Sequence, residues 1–312
     1  MSGFIFFFLY QKKIADRTIS LANFAVLRLS RLYPLHVATL LVVAFGQSCY
    51  ARVTNSYYVY GFNDLYHFLL NLGLAPAWGL EKGISFNGPV WSVSIEILLY
   101  ALFYVVCRAR MASNLMLVAL AFVGTGGLVT KLYNIPLSLG LACFFTGGLA
   151  YRAYAAVVLK RNGKLILLVA LVVASIAWLM ALLGASGQLE FSGTGKWEWL
   201  LKRLLTIYLL YPLTLISLAL LDSHWQQGRV VASLGDISYS SYLIHFPLQL
   251  AIVTIFTKTK TDPSIFYSPL FLVGFFCVLI GLSLASHKYF EMPAQRWMRG
   301  RFCSSPASNL DG

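Results

Sequence analysis

Three stretches of this 312-residue chain place ionisable or hydroxyl side chains inside otherwise apolar sequence. Each ionisable group buried at membrane depth costs at least ~2.5–3.5 kcal/mol, so such residues are functional candidates by default. In the first stretch, Pro89 suits a helix start, and Ser92, Glu96 and Tyr100 follow at every fourth position, which stacks them on one helix face. A carboxylate there must face protein or water, where it can move a proton or hold a basic partner in place. In the second stretch, Ser238, Tyr242, His245 and Gln249 fall within about 60° of one another on a helix, forming a polar stripe. Pro247 removes a backbone hydrogen bond from that helix and is expected to kink it near Leu243, making room for water or a ligand. The third stretch holds Arg28, Arg31, Tyr33, Pro34 and His36. Two arginines three apart share a face, and a guanidinium fork suits phosphate recognition. Topogenic anchoring is the competing reading for them. For His36 the alternatives are a site member and a packed polar residue.

The elements that must position these side chains follow from hydropathy. With 59% hydrophobic residues, 11% charged residues and a mean hydropathy of +0.73, the composition excludes an ordinary soluble domain. Eight apolar segments, 33–50, 90–107, 114–130, 135–154, 165–183, 199–221, 237–256 and 265–286, are each about 25–35 Å long as helices, enough to cross a bilayer. The expected fold is all-α: a polytopic transmembrane helical bundle with eight complete spans and a partial one at 4–10. Residues 1–301 are expected to form one transmembrane domain, followed by a short polar tail at 302–312.

The net charge of +13 invites a nucleic-acid reading, but the charges sit in short loops and form no stripe on a soluble face, so no nucleic-acid partner is expected. Sixteen of the 24 lysines and arginines fall on one side of the alternating spans. The positive-inside rule makes that side cytoplasmic, together with Arg28, Arg31 and the C-terminus. Five scattered cysteines, Cys49, Cys107, Cys143, Cys277 and Cys303, have no disulfide framework and no metal-ligand spacing. The connection 50–89 carries Tyr57, Tyr58, Tyr60, Tyr66, Phe68 and Trp78, and is expected to lie at the headgroup boundary or fold back into the bundle.

Taken in order, these motifs resemble those of the membrane acyltransferase 3 family, polytopic bacterial enzymes that O-acylate surface sugars. Ser2-Gly3-Phe4, Arg28-x-x-Arg31-x-Tyr33-Pro34, Trp91-Ser92 through Glu96 to Tyr100, Gly235-x-x-Ser238-Tyr239-x-x-Tyr242-Leu243-x-His245-x-Pro247 and Glu291-x-Pro293 carry the resemblance. It implies transfer of an acyl group, expected to be acetyl, from acyl-CoA to a hydroxyl of an exported or cell-surface carbohydrate, in the inner (plasma) membrane. No tightly bound cofactor and no metal is implied. On this reading Arg28 and Arg31 hold the CoA phosphates, and Glu96 and His245 are catalytic. His36, Trp91, Ser92, Tyr239 and Tyr242 bind substrate. Family members open with a further helix carrying an Arg and the His usually assigned as base. This sequence starts at the family's second span, so an upstream helix is expected to supply that base. An inactive truncated homologue and a glycan-precursor transporter or flippase are the rivals. Against a transporter, the sequence has no paired, interrupted helices in matching halves.

Overall fold

Hydrocarbon leaves no water to pair backbone groups, so an apolar chain of this kind must satisfy them locally. In a computed structural model, which describes residues 1–130, 135–158, 163–185, 196–225 and 228–303, the chain is helical, with no strand among the described residues. Lys131, Lys160, Arg161 and the tail from 304, all used in the charge and domain readings, lie outside the described residues. The helices are α1 (Ser2–Ala15), α2 (Leu21–Thr54), α3 (Leu65–Leu72), α4 (Trp91–Arg108), α5 (Asn114–Thr130), α6 (Ile135–Val158), α7 (Gly163–Ala185), α8 (Lys196–Leu205), α9 (Tyr211–Trp225), α10 (Gly228–Thr259), α11 (Pro269–Ser286) and α12 (Met292–Phe302).

Six stretches, Leu21–Thr54, Gly88–Arg108, Ile135–Val158, Leu200–Asp222, Ile237–Thr259 and Pro269–Phe302, are helical, long and apolar enough to cross a membrane. The chain is therefore a multi-pass membrane protein. The other two expected segments correspond to shorter apolar helices, Asn114–Thr130 and Leu168–Met180. Local chemistry moves several boundaries. The Ser20 hydroxyl accepts from the Asn23 N–H and starts α2 well before the expected span, so Arg28 and Arg31 lie on the helix itself. Asp262 caps a short 3-10 turn, Pro263–Tyr267, and α11 begins only at Pro269.

The chain divides into two compact units. One comprises 1–18 and 101–228. There α1 packs on α6 and α5 on α6. A Cβ on Gly3 would collide with the backbone carbonyl of Phe144, and one on Gly147 would crowd the backbone of Phe4. The Ser2-Gly3-Phe4 motif thus permits a small-residue helix crossing. Phe6, Phe7, Phe103, Phe144 and Phe145 fill the space around it with mostly edge-to-face rings.

The other unit comprises 19–100 and 229–312. Leu40 and Val43 of α2, Phe86, and Phe246 and Leu250 of α10 form its buried core. The 50–89 connection folds inward: Asp64 caps α3, and His67, Asn71, Ser85 and Asn87 are buried. His67 staples this connection. Its Nε2 accepts from the Lys82 N–H at 3.2 Å, so its proton is on Nδ1, which donates to Asp64 at 2.8 Å.

Candidate functional site

The second unit holds every residue singled out by its chemistry. The segment leading into α4 is fixed from both sides: the Phe86 N–H donates to Asn63 Oδ1 at 2.9 Å, and Asn71 Nδ2 donates to Ser85 Oγ at 2.8 Å. It meets α10 through three hydrogen bonds. Asn87 Nδ2 donates to the Leu243 carbonyl at 3.1 Å, and the Tyr242 hydroxyl donates to the Pro89 carbonyl at 2.7 Å. Since that uses the only phenolic proton, Ser92 Oγ donates to the Tyr242 oxygen at 2.9 Å.

The expected opening for water near Leu243 is therefore not found. Leu243 is fully buried, α10 runs through Pro247 as helix, and the carbonyl that Pro247 leaves unserved receives the Asn87 amide.

Glu96, one turn beyond Ser92, is half-buried and within electrostatic reach of the Tyr239 and Tyr242 hydroxyls. Tyr239 turns to α2, where its hydroxyl donates to the Leu32 carbonyl at 2.6 Å, with exposed Arg31 also in electrostatic reach. His245 is half-buried, with its ring centre 6.0 Å from that of Tyr242. Its Nδ1 lies 2.7 Å from the Tyr242 carbonyl. A carbonyl only accepts, so Nδ1 carries the proton and the lone pair of the neutral ring is on Nε2. That is the tautomer a general base needs.

Tyr242 thus meets Ser92 and His245, and both Tyr242 and Tyr239 lie within electrostatic reach of Glu96, with Arg31 beside Tyr239. Other candidates lie elsewhere in the unit. His36 is fully buried and its Nε2–H donates to the Asn71 carbonyl at 2.7 Å, stitching α2 to α3. No hydrogen bond among the described residues joins it to Tyr242 or His245. Trp91 is exposed at the start of α4, and Arg28 is half-buried on α2.

Two contributors had been given no individual role from the sequence. Glu291 is buried and accepts from Ser240 Oγ at 2.5 Å and Ser286 Oγ at 3.0 Å, which ties α10 to the end of α11. A carboxylate so near an apolar span is itself a signal. Asn87 had a subtler one: the proline in α10 creates an orphan acceptor that some donor must serve. Beside the site, Tyr58 and Tyr60 pack on Phe246. Burial pushes the Tyr60 phenol above its ordinary range, with a smaller contribution from Tyr242.

A family model described as an acyltransferase domain matches residues 1–287. No curated protein and no solved structure matches the chain.

Proposed function

The chain belongs to the acyltransferase 3 family, and from that premise we propose an integral-membrane O-acyltransferase that moves an acyl group from acyl-CoA to a carbohydrate hydroxyl. The observation that carries this reading is the hydrogen bond from His245 Nδ1 to the Tyr242 carbonyl, which leaves the lone pair on Nε2, on the helix whose Tyr242 meets Ser92 and lies within electrostatic reach of Glu96.

In this reading His245, rather than the histidine that the resemblance assigns as base, takes the proton of the sugar hydroxyl on Nε2 as that oxygen attacks the thioester carbonyl carbon. When the carbon–sulfur bond breaks, the imidazolium returns that proton to the departing CoA thiolate. Glu96 favours the transient positive charge on His245 and helps hold the Tyr239 and Tyr242 hydroxyls in place. Arg31, with Arg28 a turn away on α2, offers guanidinium groups to the CoA phosphates. Trp91 and Ser92 line the acceptor side, and His36 supports it through α3. We place the protein in the inner membrane with eight spans, Arg28, Arg31 and the C-terminus facing the CoA-containing cytoplasm. The accepting glycan is exported or lipid-linked.

The test is transfer of radiolabelled acyl groups from CoA to cell glycan by cells expressing this chain, repeated with His245→Asn and Glu96→Gln at equal membrane levels. Each variant should lose on the order of 10²–10⁴-fold of the rate. Full activity in both variants sinks the assignment.

A further inference from the structure

The face of α10 that carries Tyr242 and His245 continues to Gln249 and then to Ile252 and Val253, at the spacing that stacks side chains along a helix. These last three line a groove of about 390 Å³. Phe271 and Phe275 of α11 form its opposite wall, and Tyr58 also borders it. The groove therefore begins one helical turn, about 6 Å, beyond His245.

Two features say what fits it. The wall is aromatic and aliphatic, as an alkyl chain requires. Yet Gln249 is exposed midway along the span Ile237–Thr259, with no hydrogen-bond partner among the described residues. A primary amide facing hydrocarbon is costly, and a lipid tail offers it nothing. The suitable occupant has an apolar body and a hydrogen-bond acceptor at the His245 end.

We propose that this groove holds the acyl chain of the thioester donor, with the Gln249 amide donating to its carbonyl oxygen. The inference rests on the acyl-transfer reading and deepens it by naming the donor class. A volume of about 390 Å³ lies in the range of roughly 300–1,000 Å³ that encloses drug-sized ligands. An acetyl group, with three heavy atoms, leaves nearly all of it empty. The preferred donor is thus a medium- or long-chain acyl-CoA. As the sugar oxygen attacks, the carbonyl π electrons move onto the oxygen, and the Gln249 N–H stabilises that oxyanion until the carbon–sulfur bond breaks.

The experiment uses the full chain in lipid nanodiscs and two photoprobes, decanoyl-CoA and a phosphatidylcholine, each with a diazirine at the chain end. Decanoyl-CoA should label peptides containing Ile252 or Phe275, and excess unlabelled decanoyl-CoA should remove the label. Val253→Trp should lower the ratio of decanoyl to acetyl transfer at least tenfold. Gln249→Leu, on an exposed position that folding tolerates, should lower kcat for decanoyl transfer by about 10²-fold while labelling persists. Equal, uncompeted labelling by both probes means that bilayer lipid alone fills the groove and overturns the proposal. So does an unchanged chain-length ratio in Val253→Trp, or an unchanged kcat in Gln249→Leu. Acetyl transfer without decanoyl labelling overturns the groove assignment and spares the acyltransferase reading; absence of transfer from either donor overturns both.

Discussion

Asn87 Nδ2 donates to the Leu243 carbonyl at 3.1 Å, supplying the hydrogen bond that Pro247, four residues further along α10, has no N–H to make. One side chain thereby locks the approach to α4 onto the helix that carries His245. Asn87→Ala leaves that buried carbonyl without a donor and should destabilise the protein by about 1–3 kcal/mol in detergent unfolding. In a Pro247→Ala background the new N–H serves Leu243 instead, so the same substitution should cost clearly less. A double-mutant cycle measures the difference, and strict additivity would refute the explanation.

On the proposed mechanism Tyr242, expected from the sequence to bind substrate, acts as a positioning residue. Its hydroxyl joins Pro89 and Ser92, while its backbone carbonyl holds His245. Tyr242→Phe removes the first two bonds and keeps the third. The expected result is a fall in kcat of about 10²-fold from misplaced reacting groups, with the pH profile of the rate retained because the His245 tautomer is unchanged. A wild-type kcat argues against the role.

Gly3 lets α1 approach α6 so closely that any side chain there meets the Phe144 backbone. Gly3→Leu should cost about 1–3 kcal/mol or more through overpacking. The loss is readable as a lower unfolding midpoint with α1 peptides exchanging faster. Unaltered exchange would show that the crossing does not need a glycine.

The Asp64 carboxyl is held below its ordinary 3.8, first by the His67 backbone N–H and then by the His67 ring N–H. A lowered folded pKa means stabilisation that is complete above the unfolded value and lost as pH falls through the folded one. Amides in 64–82 should therefore lose protection against hydrogen exchange progressively below about pH 4. In Asp64→Asn this acid-dependent step should be missing. Superimposable pH profiles for the two proteins would show that the staple adds nothing to the folded connection.

Hydropathy alone was enough to locate the six membrane-length helices, though not all their ends, because hydrocarbon forces each backbone to satisfy itself within its own segment and apolarity can be counted residue by residue. The span expected at 90–107 lies within Gly88–Arg108, and the one at 237–256 within Ile237–Thr259. The four-residue spacing of Ser92, Glu96 and Tyr100 and the stripe on α10 were legible for the same reason, since angle along a helix is a local quantity. Spacing does not say which neighbour a face meets. Only tertiary packing turned Tyr239 to Leu32, paired Ser240 with Glu291 51 positions away, enclosed His36 against Asn71 and brought Asn87 to Leu243. Those choices depend on how helices rotate against one another to bury polar groups in pairs, a condition on many residues at once that no single segment contains.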